Sequence, residues 1–533
     1  MKTRPRLTVV ILICSVLFGF IAACHIFIDP TFRKQYTDYN TFVHESPVEP
    51  GYLKVHYKDG KVVVFDSWKL SSGQDSLIGN GKLFDLKRNI ISDGLVSTGT
   101  DQIAIIETNQ LTALKDKTNE RIAALSILAG IDAVIGVVCI TVPKACFGSC
   151  PTFYLTETNN VHWANAEAFS SSIAPSMEQP DIDALRVKVG SGDFRLIMKN
   201  EALETHVVNE VQIVAAEVEK DAEILHGVGD KFFHTKNITN CISALTDGEN
   251  IAPFLNAVDG NEYFSLSDSL DLGAKEEILL EFNNNIKNTP GIILNFRQTL
   301  LTTFLLYNGM SYMGDEIGDY FAKIETSDMV RKKLKNPFST LGGIKVFAFD
   351  SKKEKWDFIT EIYETGPIAP NHFVVPFSET NDNGDPIRVK LEMTKGMWRL
   401  DYAGLADIDK EINPAFIYPS EILKDNLPDP EALTEISCDD EDYLISMPGD
   451  EWHLHFDLPQ PNDENNRYQL FLSAKGYYLE WIRNDWLEEK DPERLKNMLL
   501  NDKATWRELA IEYKTYESQM EELFWNSKYE NNQ

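Results

Sequence analysis

Cys146 and Cys150, with Phe147, Gly148 and Ser149 between them, are the closest pair among the seven cysteines. The spacing is not the CxxC of a thiol oxidoreductase, and by itself it does not define a zinc site. In an exported chain it favours a short-loop disulfide; two thiols, or a metal site completed by His162, are the alternatives. His453 and His455, in Glu451–Asp457, fall on one face of a strand because side chains alternate. Two imidazoles begin a metal site, but no third ligand is identifiable. Asp382, Asn383 and Asp385 surround Gly384 with the carboxylates and amide that wrap a hard cation such as calcium. The bidentate glutamate of the full EF-hand loop is missing, so a polar turn is the simpler reading and calcium is the sole cofactor candidate. Trp356 and Trp398 have rings that can stack on sugars, although core packing is the commoner use of tryptophan.

Linear catalytic motifs are absent. Gly309-Met310-Ser311-Tyr312-Met313-Gly314 misses the nucleophile elbow by one residue, His206-Val207-Val208-Asn209-Glu210 has the wrong order for a zincin, and Gly81-Lys82 lacks the rest of a phosphate loop. Paired carboxylates for glycoside hydrolysis leave no necessary linear trace, because that chemistry is defined by separation in space. The 82 acidic and 51 basic residues give a net charge of −31, which repels phosphate backbones and argues against nucleic-acid binding.

The elements that must position these residues begin with an export signal. Lys2, Arg4 and Arg6 precede an apolar run, Leu7 to Ala23, with the layout of a secretory signal. The run ends in Ile21-Ala22-Ala23-Cys24, which resembles the lipobox of bacterial lipoproteins. That resemblance implies cleavage after residue 23, acylation of Cys24 and a membrane anchor. An uncleaved signal anchor is the alternative. His25 follows, rather than the aspartate that retains lipoproteins at the inner membrane, so the resemblance points to the outer membrane. Without Cys24 the mature chain keeps Cys139, Cys146, Cys150, Cys241 and Cys438, an odd set that leaves at least one thiol unpaired. Cys150-Pro151-Thr152-Phe153-Tyr154, Trp163 and Glu167-Ala168-Phe169, with Phe194 to Glu201 and His206 to Ala216, resemble a segment of uncharacterised bacterial cell-envelope lipoproteins. It implies an envelope β domain and brings no activity.

Patterning then divides the chain. Residues 24–50 read as a lipidated tether. Residues 51–110 read as a small β barrel, opened by a hairpin in which Asp59-Gly60 joins Tyr52–Lys58 to Lys61–Phe65. Residues 111–144 hold an apolar helix, Ile122 to Val142, whose lone charge is Asp132. Its length suits a membrane span, yet a span would set Lys115, Lys117 and Arg121 outside, against the positive-inside rule. A buried helix and a spanning one both stay open. Residues 145–250 read as a β domain. Residues 251–415 read as an antiparallel sandwich in which Val389–Met393 pairs with Trp398–Tyr402, Leu300–Tyr307 fits either state and 314–335 is a helical insertion. In 416–533 strands give way to helices starting at Asp491-Pro492 and Asp502, the second carrying an apolar stripe from Trp506 to Phe524.

The expected fold is therefore mainly β, with a helical tail. The expected function is a lipid-anchored envelope binding or scaffold protein meeting a protein or glycan partner. A surface glycan hydrolase and a membrane-spanning assembly factor are the alternatives.

Overall fold

The computed structural model describes residues 35–37, 53–57, 62–84 except 72 and 74, 90–108, 150–156, 164–200, 204–317, 340–363, 366–378, 385–446 except 441, 450–480 and 489–515, with isolated positions at 320, 321, 329, 486 and 517. Cys24, Cys146, His162, Asp382, Asn383 and the segment 122–142 lie outside them. The described chain is mainly β, and no described helix is long and apolar enough to cross a membrane.

The first sheet has six strands in the order Gln35–Thr37, Ile103–Thr108, Leu53–Tyr57, Val62–Leu70, Ser76–Phe84 and Ile90–Gly99. Leu53, Val55, Val63 and Phe65 alternate onto its apolar face with Leu77, Val96 and Ile103, as the period of a half-buried strand requires. The hairpin registers Leu53 with Phe65 and His56 with Val62, while Asp59-Gly60 lies outside the described residues. Among the described residues the expected barrel does not close: the sheet ends on Gln35–Thr37 and Ile90–Gly99. Closure needs a particular tilt and stagger between the outermost strands, which hairpin spacing does not encode. Gln35–Thr37 pairs with Ile103–Thr108, so part of the segment read as a tether is built into the sheet edge.

A sandwich follows, and it draws on both ends of the remaining chain. One sheet orders Leu427–Pro428, Glu421–Lys424, Glu451–Leu458, Gly192–Lys199, Thr152–Leu155 and Ala166–Glu167. The other orders Ala415–Ile417, Glu204–Val218, Arg467–Glu480 and Gln179–Val189, with Leu444–Ser446 also on Glu204–Val218. Phe153, Leu196, Trp452 and Leu454 from the first meet Val208, Ile213, Leu470 and Leu472 from the second in one core. Each such side chain contributes about 1.5–3 kcal/mol by leaving water.

Between the two halves of the sandwich the chain builds a barrel and another sheet. The barrel runs Glu223–Gly227, Lys231–Asn240, Trp398–Ile412, Thr289–Gln298 and Asn371–Pro376, and closes where Asn371–Pro376 pairs in parallel with Glu223–Gly227. The six-stranded sheet runs Glu249–Asn250, Ser243–Thr246, Lys275–Phe282, Ile387–Thr394, Ile344–Asp350 and Lys355–Ile362. The expected pairing of Val389–Met393 with Trp398–Tyr402 is not made. Ile387–Thr394 lies between Lys275–Phe282 and Ile344–Asp350, whereas Trp398–Ile412 crosses into the barrel. The turn at Lys395–Met397, with Gly396 at φ 76°, redirects the chain from one sheet to the next instead of folding it back.

Leu301–Met313 resolves as a helix, and the described positions 317, 320, 321 and 329 beyond it are helical too. Asp491 caps Pro492–Leu499 by accepting from the Arg494 amide, and Asp502 caps Lys503–Lys514 by accepting from the Thr505 amide. Trp506, Leu509, Ala510 and Tyr513 pack into the core shared by the barrel and its neighbouring sheet, with Tyr513 against Phe304 at 5.1 Å between ring centres. The rest of the predicted stripe, Tyr516 to Phe524, lies outside the described residues.

Candidate functional site

A cavity of about 310 Å³ opens where the barrel abuts the sandwich sheet carrying Gln179–Val189. Two irregular strands shape it. Gln179–Val189 keeps register with Arg467–Glu480 until the partners jump from Lys188↔Gln469 to Ala184↔Phe471. Two extra residues are taken up in that interval, and Arg186 adopts φ 54° within it. Such a bulge re-aims a side chain, and the left-handed backbone costs a residue other than glycine about 1–2 kcal/mol. Across the cavity, Lys231–Asn240 slips by one residue against Trp398–Ile412 between Lys236 and Thr239, with Asn237 at φ 52°. That second bulge sits beside Ile238, which lines the cavity with Val258 and Ile293.

The polar lining is mostly held in place. Lys188 Nζ donates to the Ala222 carbonyl at 2.8 Å. Gln469 accepts from the Ile224 amide at 3.0 Å and donates to the Ile224 carbonyl at 2.6 Å, which ties the sandwich to the barrel. The Tyr402 hydroxyl donates to Asn240 Oδ1 at 3.0 Å. Gly404 leaves room for that ring, because a Cβ there would stand 2.4 Å from the Tyr402 oxygen. His372 approaches Asn295 Nδ2 through Nδ1 at 3.5 Å. Burial first, and the Arg186 charge second, push the His372 imidazole down to about 4, so it is neutral at neutral pH.

Arg186 is the exception. It is wetted by the cavity, and among the described residues no carboxylate lies in ion-pair contact with it. Surrounding protein lowers its pKa, and the charge of Asp401 offsets that from beyond bonding distance. Among the described residues Glu223 is the one carboxylate in the lining, so no pair of acids like that of a glycoside hydrolase is seen among them here. A free guanidinium, a neutral imidazole and an apolar wall make a binding arrangement.

A second polar cluster lies deeper and is closed. Arg297 donates from Nε and Nη2 to both oxygens of Glu262, each at 2.7 Å, and Arg399 Nη1 reaches the same carboxylate at 3.2 Å. Arg297 also donates to the Pro367 carbonyl at 2.5 Å, while Arg399 stacks 3.8 Å from the Phe264 ring centre. Neighbouring Asp401 accepts from the Gly260 and Asp259 amides, and burial raises its carboxyl to about 6.

The residues singled out from the sequence do not converge. His453 and His455 share a strand face, but His453 Nε2 is 3.1 Å from Glu451 and His455 Nδ1 is 3.2 Å from Asp193, so separate carboxylates take them. Asp385 is exposed at the head of Ile387–Thr394. Among the described residues no group of three His, Cys, Asp or Glu is placed to hold a metal ion. Trp398 is buried against Phe296 and offers no ring to a ligand, a correction that follows from its place in the shared core. Trp356 keeps partial exposure on an edge strand, 5.2 Å from Phe349 between ring centres.

Cys150 is a buried free thiol. Burial, then the charges of Glu204 and Glu167, push that thiol well up, the opposite of what a nucleophile needs. Glu167 serves as a clasp: its Oε2 accepts from the Ile368 and Ala369 amides at 2.8 and 3.2 Å, joining the sandwich to the loop before Asn371–Pro376.

No protein-family model matches the chain, and no curated protein matches it. Among solved structures, a secreted serine protease, VesC, from Vibrio cholerae is 10% identical over 72% of this chain and 76% of that one, with a TM-score of 0.12. Dimeric latent PorU from Porphyromonas gingivalis is 7% identical over 85% of this chain and 32% of that one, with a TM-score of 0.13. At those scores the likeness carries no argument about fold or activity.

Proposed function

We propose that this chain is a lipid-anchored binding protein of the bacterial cell envelope, held by acyl chains on Cys24 at the outer membrane, which presents the Arg186 cavity to a ligand and carries out no reaction there. The observation that supports the binding role is a solvated guanidinium without an ion-pair carboxylate in a protein whose net charge is −31. With acidic side chains in such excess, an unpaired arginine inside a lined cavity is a place kept for an anion brought from outside. The lipobox-like Ile21-Ala22-Ala23-Cys24 supports the anchoring. Several acyl chains, at about 0.8 kcal/mol per buried methylene, hold a protein stably to a bilayer.

Intact-mass analysis of the detergent-extracted protein, with protease accessibility on whole cells and spheroplasts, tests this reading. Loss of residues 1–23 with added acyl mass, and digestion of the part beyond residue 145 from outside the inner membrane, is the expected result. An unprocessed Met1 terminus with a protected C-terminal part overturns it.

A further inference from the structure

We propose that the cavity binds a compact organic monocarboxylate, with the Arg186 guanidinium as anion anchor and Ile238, Val258 and Ile293 as the wall for its apolar body. This rests on reading the cavity as a ligand site. Size comes first: about 310 Å³ lies at the lower end of small-molecule pockets, roughly 300–1,000 Å³, so the ligand is a single small unit rather than a polymer segment.

Charge comes second. Among the described lining residues Arg186 and Lys188 are cations, Lys188 keeping its charge while it donates to the Ala222 carbonyl, Glu223 is an anion, His372 is neutral at neutral pH, and Asp401 acts on Arg186 from beyond contact. The lining therefore carries a net charge of one positive, with the Arg186 guanidinium as its cation free of any partner among the described residues. It matches one carboxylate, which a guanidinium holds through two parallel hydrogen bonds. A phosphate dianion would bring one more negative charge than that lining offsets. The remaining polar groups, Tyr402 and Gln469, already have protein partners and add shape more than charge. Third, the two bulges that carry Arg186 and flank Ile238 both hold left-handed residues, Arg186 and Asn237. Strain at Arg186, a residue that itself lines the cavity, is the mark of a shaped site.

The test is calorimetric titration of the intact detergent-extracted protein with hexanoate, benzoate, hexanamide and inorganic phosphate. The expected result is saturable binding of at least one carboxylate, weakened by about tenfold or more in hexanamide, in phosphate and in the Arg186→Gln variant. A second variant, Val258→Trp, fills the mouth from an exposed position and is expected to abolish binding if Arg186→Gln does not fold. No saturation by either carboxylate, equal binding of hexanamide or phosphate, or unchanged affinity in the folded variants overturns the assignment. Silent titrations with a processed, acylated and externally digested chain sink the ligand and leave the anchored protein standing. Saturable carboxylate binding by an unprocessed, protected chain does the reverse.

Discussion

Two arginine environments lie in the same part of the molecule and differ in their exposure and in their partner. Arg297 and Arg399 are buried, and Glu262 lies between them with both its oxygens engaged. Arg186 stands in a wetted cavity on a strained backbone with no carboxylate in contact. The first arrangement is closed: its donors meet a carboxylate, a carbonyl and an aromatic face within the chain. The second is open, and its backbone strain is not offset by an ion pair within the fold. A buried charge that is paired belongs to the architecture, whereas a solvated, unpaired one held on a strained backbone belongs to what the protein meets.

The comparison breaks most severely at Glu262. Glu262→Ala leaves two buried guanidiniums facing each other, and removing one partner of a buried ion pair costs about 3–5 kcal/mol. The expected outcome is a large drop in urea midpoint, or loss of the folded state, measured by chemical denaturation. An unchanged midpoint would place the cluster with Arg186 after all. Replacing Glu262, Arg297 and Arg399 together by apolar residues of similar size is expected to cost less than the single change, because no charge is then left without its partner.

Asp401 links the two environments, since it neighbours Glu262 and acts on Arg186. Burial raises its folded pKa from 3.8 to about 6. The folded state thus binds the proton more tightly than the unfolded chain. The carboxylate costs nothing below pH 3.8, costs progressively more up to about pH 6 and carries its full penalty above that. Asp401→Asn removes the titration while keeping an oxygen for the Gly260 and Asp259 amides. The melting temperature of the variant minus that of the wild type is expected to rise between pH 4 and 7, by the equivalent of about 1–2 kcal/mol once solvent screening is allowed for. Parallel melting curves would show that Asp401 is not penalised. Asp181, also raised to about 6 by burial, contributes the same slope to both proteins and cancels from the difference.

How far each environment was legible in the sequence follows from what fixes it. The antiparallel pairing of the two strands flanking Asp59-Gly60 and the caps Asp491 and Asp502 are local, and each is found where its spacing puts it. The cavity is not local. Leu185-Arg186-Val187-Lys188 alternates like any half-exposed strand, and the bulge that isolates Arg186 exists only in the register against Arg467–Glu480. The missed crossing at Lys395–Met397 has the same cause: a short turn does not say whether the next strand stays in its sheet. Glu262, Arg297 and Arg399 lie far apart in sequence, and neighbouring barrel strands bring the two arginines to one carboxylate.

The smallest change gives the sharpest test of the contrast. Arg186→Gly removes a side chain that makes no ion pair and relieves a left-handed backbone worth about 1–2 kcal/mol, while glycine gives back roughly 0.5–1 kcal/mol in unfolded-chain entropy. The net expectation is a stability equal to wild type or higher by up to about 1.5 kcal/mol, read as a melting temperature that holds or rises slightly. Arg297→Gly at the closed site would move the other way by several times that amount, because it strips Glu262 of its bidentate partner in a buried setting. If Arg186→Gly also destabilised the protein by more than about 1 kcal/mol, the guanidinium would be holding the fold together, and the distinction between a closed and an open arginine would fail at the residue on which it depends.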